Sequence, residues 1–381
     1  MAAKRVALLI ETSNAYARGL LRGIRSYVRA HGDWSLYLGE QRRGESAPRW
    51  LPQWQGDGVI ARIETAEIAR AVLASRLPAV DVSAARHIPE LPFVETDDRQ
   101  IAIAAAQHLL GRGLRHFGFC GDRRFMWSNQ RGEHFEQFLR GAGFACQRYE
   151  TPARGPRSWA ADFEALIAWL QHLPTPVGIL ACYDIRGREV LDACRAAVIR
   201  VPDDVAVIGV DDDDLICELA EPRLSSVIPN THRTGYEAAA LLDRLMAGEH
   251  VPPGAYLIPP LGIATRHSTD VLAVDDPDVA AALRFIRDHA CEGINVENVV
   301  AAVALSRRVL EIRFKKATTR TPHEEIQRVQ LDRVKQLLTQ TDLTLDAIAH
   351  RCGFRHTEYM SVAFKRATGQ TPGKFRGQVR P

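Results

Sequence analysis

The stretch PDDVAVIGVDDDD, Pro202 to Asp214, sets an unbroken apolar run, Val205 to Val210, directly before four consecutive carboxylates, Asp211 to Asp214. A strand that is apolar at every position must be covered on both faces, which places it inside a parallel sheet sheathed by helices. In such sheets ligands bind beyond the carboxyl ends of the strands, where this sequence puts its acidic residues. Towards the N-terminus the pattern repeats in VGILA from Val177, HFGFC from His116, PAVDV from Pro78, GVIAR from Gly58 and RVALLI from Arg5. Between these runs lie stretches of helical periodicity, opening near Tyr16, Asp98, Asn129, Trp159, Asp184 and His232. Several start on Asp, Asn or Thr, whose side chains cap exposed backbone N–H groups. Strands alternating with helices predict an α/β architecture.

Beyond this region TRHSTDVLAVDDPD, Thr265 to Asp278, carries four Asp and no helical stripe, so a boundary belongs there. The expected organisation is an α/β domain over 1–268, a linker over 269–278 and an all-α domain over 279–381. Residues 278–381 hold 18 Lys and Arg against 11 Asp and Glu, whereas the whole chain has 49 against 46. The tail therefore carries an excess of seven positive charges on a body that is net acidic, a distribution suited to a polyanion.

Two segments of the tail share one plan: a short helix, a tight turn and a second helix with polar and basic residues on one side. In the first, Val299, Val300 and Val303 pack inward, Leu305 closes the turn, and Ser306 caps a helix expected to pack on Val309, Leu310 and Phe314. This leaves Arg307, Arg308, Glu311 and Lys315 to meet base edges. In the second, Ile348 and Ala349 pack, Gly353 supplies a left-handed turn, and Tyr359, Val362, Ala363 and Phe364 are expected to anchor the following helix. His356, Thr357, Glu358, Ser361 and Lys365 remain outside. Lys316, Arg313, Lys365 and Arg366 are candidates for phosphate contacts.

Composition narrows the function. The apolar run Val6 to Ile10 is too short for a signal-peptide core or a membrane span, so a cytoplasmic protein without membrane association is expected. The seven cysteines show no C-x-x-C pair and no Cys/His cluster of zinc-site spacing. No cysteine sits in a context that would activate it as a nucleophile. Neither metal, cofactor nor catalytic residues are expected, and the chain is read as a non-enzyme.

The run SRRVLEIRFKK (Ser306 to Lys316), then LDAIA (Leu345 to Ala349), CGF (Cys352 to Phe354), FKRATG (Phe364 to Gly369) and Thr371 with Pro372 resembles the AraC/XylS DNA-binding domain. That resemblance implies two helix-turn-helix units placing recognition helices in successive segments of the major groove. Met360 stands where that family more usually has Phe, a swap of similar volume. Upstream, VALLIETSN (Val6 to Asn14), GDGVI (Gly56 to Ile60), HFGF (His116 to Phe119), PDDVAVIGVDD (Pro202 to Asp212) and SSV (Ser225 to Val227) resemble the ligand domain of lactose/galactose repressors, itself similar to periplasmic sugar-binding proteins. In those repressors the DNA-reading segment precedes the ligand domain; here it follows.

Together the two resemblances imply a periplasmic-binding-protein-like two-lobed α/β sensor followed by an all-α domain. The combination is similar to regulators of sugar-utilisation operons that answer D-xylose. It implies operator DNA and a monosaccharide as ligands, a homodimer, and contact with RNA polymerase if the protein activates. Another pentose, a hexose or a nucleoside is the alternative effector. A transport binding protein would have no use for the basic tail. Sugar recognition needs bidentate polar groups and an aromatic face. Asn14, Asp97, Arg131, Asp184 and Asp211 are the expected polar ligands, with Tyr16 or Trp127 as the ring-stacking wall.

Overall fold

The computed structural model describes residues 3–40, 46, 48–151, 158–271, 274 and 276–379. Two compact units divide the chain, Met1–Val271 and Leu272–Pro381.

The first unit begins with β1 (Lys4–Leu9), α1 (Ala15–His31), β2 (Trp34–Leu38), β3 (Gly58–Ala61), α2 (Ala66–Ser75), β4 (Ala79–Asp81) and β5 (Phe93–Thr96). It continues through α3 (Asp98–Leu110), β6 (His116–Asp122), α4 (Met126–Gly141), β7 (Cys146–Thr151), α5 (Trp159–Gln171), β8 (Val177–Ala181), α6 (Asp184–Ala196), β9 (Val205–Val210), α7 (Asp214–Leu219) and β10 (Ser225–Ile228). Then come α8 (Thr231–Met246), β11 (Ala255–Ile258) and β12 (Gly262–Ala264). The strands form two sheets, ordered β11-β5-β4-β3-β1-β2 and β12-β10-β9-β8-β6-β7. All pairings in them are parallel except β10 with β12. Each sheet is the floor of one lobe, so the two-lobed α/β expectation holds.

The chain passes between the lobes three times: from β5 to α3, from β10 to α8, and from β11 to β12. The crossings are tied together, since Asp97 N–H donates to the Ile258 carbonyl and Leu261 N–H to that of Ile228, each at 2.8 Å. Central strands β8 and β9 are buried at every residue, which is why they read as continuous apolar runs. Strand β2 at a sheet edge is largely exposed. Thr269, at the start of the expected linker, is grouped with the first unit, which runs to Val271. His267–Thr269 form a 3-10 turn in which Ser268 and Thr269 are fully buried, and Ser268 Oγ donates to the Val207 carbonyl at 2.5 Å. Residues 272, 273 and 275 of that expected linker lie outside the described residues.

Helices α1 and α8 cover the first sheet and meet backbone to backbone. Gly23 lies against the carbonyl of His232, and a Cβ there would collide with backbone that has no flexible end to move. Gly23→Ala is expected to destabilise the sensor by about 1–3 kcal/mol, the usual cost of overpacking. Thermal unfolding measures it, with Gly39→Ala, which meets open space, as the control.

The second unit contains α9 (Pro277–His289), α10 (Val296–Val303), α11 (Arg307–Thr318), α12 (Pro322–Gln340), α13 (Leu345–Arg351), α14 (Thr357–Thr368) and α15 (Pro372–Val379). One core gathers Val279, Ile286, Val299, Leu310, Phe314 and Ile326; a second gathers Leu331, Leu338, Ile348, Met360 and Phe364. Helix α12 contributes to both, so the two helix-turn-helix units, α10 with α11 and α13 with α14, share one spine. Gly353 adopts φ +77°, the left-handed turn its position requires. Three packing expectations need correction. Val309, Tyr359 and Val362 are exposed, and Met360, not Tyr359, fills the second core. With Leu310 and Phe314 one helical turn apart on the inner face, Val309 is rotated by about 100° from Leu310 and turned outward.

Candidate functional site

A small cavity between the lobes of the sensor is lined by Tyr16, Arg62 and Glu95 from the first lobe and Trp127, Arg131 and Asp211 from the second. Four of these were expected from sequence: Tyr16, Trp127, Arg131 and Asp211. Arg62 and Glu95 were not. Asn14 accepts from Ala17 N–H as the cap of α1, leaving its buried Nδ2 without a partner. Asp97, also expected as a ligand, is not among the lining residues: both its oxygens are engaged by Gln100, one by the backbone N–H at 3.0 Å and one by Nε2 at 2.7 Å, as the cap of α3.

Arg131 is 3% exposed, and its Nε and Nη2 donate to Asp98 Oδ1 at 2.9 and 2.6 Å, while Nη1 donates to the Cys182 carbonyl. Its guanidinium lies 5.3 Å from the centre of the Trp127 ring. Burial opposes the charge on Arg131, and the Asp98 and Asp211 carboxylates more than restore it. Asp184 stands behind the cavity wall. Its Oδ1 accepts from Ser226 Oγ at 2.6 Å and its Oδ2 from Asp213 N–H at 2.8 Å, so it shapes the loop that presents Asp211. Burial first, then the Asp211 carboxylate, pushes the Asp184 carboxyl well up. Asp211 and Asp212 hold φ +112° and +48°. Non-glycine residues adopt such angles at a cost, and they concentrate where a side chain must be aimed.

In the first lobe Arg62 is clamped by Glu11 at 3.1 Å and Glu64 at 2.5 Å, with its guanidinium 5.1 Å from the Tyr16 ring centre. Glu95 Oε1 accepts from Tyr16 Oη and, at 3.4 Å, from Thr96 Oγ1. Arg62 Nε and Glu95 Oε2 are buried without hydrogen-bond partners. Burial raises the Glu95 carboxyl to about 8 and that of Asp81 to about 7. Both groups ionise near 4 in the unfolded chain, so the stability they favour is present below that pH and is lost as pH climbs through 7 and 8. Sensor melting is expected to fall from pH 5.5 to 8.5, each group contributing a slope of up to about 1.4 kcal/mol per pH unit. Asp81→Asn with Glu95→Gln should flatten the profile. An unchanged slope in that double variant would count against the assignment.

In the second unit the residues expected to meet DNA lie on α11 and α14, with His356 at the N-cap of α14. Arg308, Lys315, His356, Glu358 and Lys365 are exposed, and Glu311 and Ser361 partly so. Arg307 is paired with Glu297 at 2.5 Å and Glu311 at 3.0 Å, and Thr357 Oγ1 donates to Asp346 at 3.0 Å. Arg313 differs from expectation. Its Nε donates to Asp276 Oδ2 at 2.6 Å, and its Nη2 meets both Asp276 and, at 2.9 Å, Asp278. Among the described residues no three His, Cys, Asp or Glu side chains gather as a metal site, and no helix is long and apolar enough to cross a membrane.

Comparison with known sequences matches residues 106–269 to the periplasmic binding protein-like domain, 299–378 to a helix-turn-helix domain and 5–99 to the XylR N-terminal domain. The chain is 33% identical to the xylose operon regulatory protein of Escherichia coli K12, spanning 98% of this chain and 96% of that one. The chain belongs to the xylose operon regulatory protein family. The Haemophilus influenzae member is 32% identical over 98% of both chains. A solved structure described as the xylose-binding transcription activator XylR superposes with a TM-score of 0.78 at 33% identity, covering 99% of each chain. Xylose operon regulatory proteins are DNA-binding transcription regulators and not enzymes. Their two-part architecture is the one found here, with the cavity in the sensor and α11 and α14 in the DNA-binding unit.

Proposed function

We propose that this regulator binds a monosaccharide, D-xylose, in the sensor cavity, and that closure of the lobes on the sugar alters its grip on operator DNA. The observation that carries the reading is the cavity itself, where Tyr16 from the first lobe and Trp127 from the second offer aromatic faces while Arg131 and Asp211, also from the second, offer a fixed donor and acceptor. Asp184 and Asn14 act behind them, holding the Asp211 loop and the start of α1. Three tied crossings give the sugar a hinge to act on, and a ligand bound by both lobes shifts the population towards the closed form. DNA is read from α11 and α14 by Arg307, Arg308, Glu311, Lys315, His356, Thr357, Glu358, Ser361 and Lys365. The protein works in the cytoplasm as a homodimer and, as an activator, engages RNA polymerase.

Calorimetry with D-xylose, L-arabinose, D-ribose and D-glucose tests the effector. Band-shift titration of operator DNA with and without the bound sugar tests the coupling, for which a 5- to 150-fold change in affinity is expected. Equal operator affinity in both conditions would overturn the coupling, and binding of a different sugar would reassign the effector.

A further inference from the structure

Two cavity-lining groups in the first lobe each have one buried polar atom without a hydrogen-bond partner. Arg62 spends Nη1 on Glu11 and Nη2 on Glu64, leaving Nε–H. Glu95 receives Tyr16 Oη and Thr96 Oγ1 on Oε1, leaving Oε2. The two residues are 6% and 5% exposed. A buried polar atom without a partner is costly, and such atoms in a binding cavity are met by the ligand. We propose that Arg62 and Glu95 form a specificity subsite in which Arg62 Nε–H and Glu95 Oε2 each bond one hydroxyl of the sugar. The subsite rests on the cavity being the effector site.

The surroundings of Glu95 favour the proton. Burial is the chief cause; the Arg62 cation, already shared by Glu11 and Glu64, and the Tyr16 hydrogen bond oppose it, the Asp98 and Glu64 carboxylates add to it, and Arg131 and Asp211 stand across the cavity. The carboxyl accordingly holds its proton to about pH 8. A lobe that only donates recognises lone pairs, so a sugar lacking one of the two oxygens leaves a buried donor unmet. Loss of a hydroxyl from a site built to bond it weakens binding by about 10- to 100-fold.

The test is calorimetry of the full chain with the sugar that binds, at pH 7.0, 8.0 and 9.0, for the wild type, Glu95→Gln and Glu95→Ala. Wild-type affinity is expected to hold at pH 7 and to fall towards tenfold per unit above 8, with proton uptake on binding at pH 8.5 seen as a dependence of the heat on buffer. Glu95→Gln retains a donor and should bind with neither the fall nor the proton uptake. Glu95→Ala should lose about tenfold or more at pH 7. Monodeoxy analogues should then lose affinity for the wild type at two positions, one of which becomes silent in Glu95→Ala. If Glu95→Gln keeps the wild-type pH profile and proton uptake, the subsite is overturned while the effector assignment stands. If the wild type binds no monosaccharide, the effector assignment falls and the subsite with it.

Discussion

Replacing Arg131 by alanine is expected to abolish sugar binding and to destabilise the sensor by about 3–5 kcal/mol, the usual cost of stranding one member of a buried ion pair. Asp98 would keep its burial and lose both guanidinium donors, and the Cys182 carbonyl would lose Nη1. Trp127 would lose the cation against its ring. In a unit of this size the stability loss corresponds to a melting shift on the order of 10 °C. Arg131→Lys separates the two effects. It preserves a charge near Asp98 but cannot fork to Asp98 and Cys182 together, so stability should return in part and sugar affinity should not. Chemical denaturation and calorimetry on the same preparations supply both numbers. Wild-type sugar affinity in Arg131→Ala would remove this residue from the site.

The second large effect is expected at Gly353, where alanine would have to adopt φ +77° and place its Cβ 2.7 Å from Gly293 N and 2.8 Å from the Ala290 carbonyl. A left-handed alanine alone costs about 1–2 kcal/mol. Collision with backbone on the neighbouring segment adds about 1–3 kcal/mol, because neither atom belongs to a side chain that can swing away. The turn joins α13 to α14, so operator affinity should fall by more than tenfold while sugar binding by the sensor is unchanged. Gly369 has the same φ but open space around it, and Gly369→Ala should show only the smaller, conformational part. Equal effects of the two variants in band-shift titrations would mean that the close approach at Gly353 is unimportant.

Strands β8 and β9 were readable because they are buried along their whole length and must be apolar throughout, whereas the inner strand β10, opening on Ser225 and Ser226, was not. Strands β2, β7, β11 and β12 sit at sheet edges; β7 mixes polar and apolar residues, and β11 and β12 are only 4 and 3 residues long, too short to give a clear period. Four of the six residues that line the cavity were readable. The rule that sites lie beyond strand ends leads to Tyr16, Asp211 and the start of α4, yet it passes over Arg62 and Glu95, which end or interrupt buried apolar runs in GVIAR and FVET. A charge that interrupts a strand with no exposed face is itself the signal, since it must be paired or reserved for a ligand. Asp97 and Asp98 illustrate the opposite difficulty. They are adjacent and chemically identical, but neighbouring positions at the start of a helix point about 100° apart, so one caps α3 and the other holds Arg131.

The pairing of Arg313 with Asp276 and Asp278 has a consequence for how the protein would respond to ionic strength. Each phosphate neutralised by a free cationic side chain displaces condensed counterions from the duplex and steepens the fall of log affinity with log salt by about 0.9. A guanidinium already matched by two carboxylates displaces none. Lys315, Lys316, Lys365 and Arg366 would set the slope, and Asp276→Asn, by loosening Arg313, would bring a further cation into the polyelectrolyte balance.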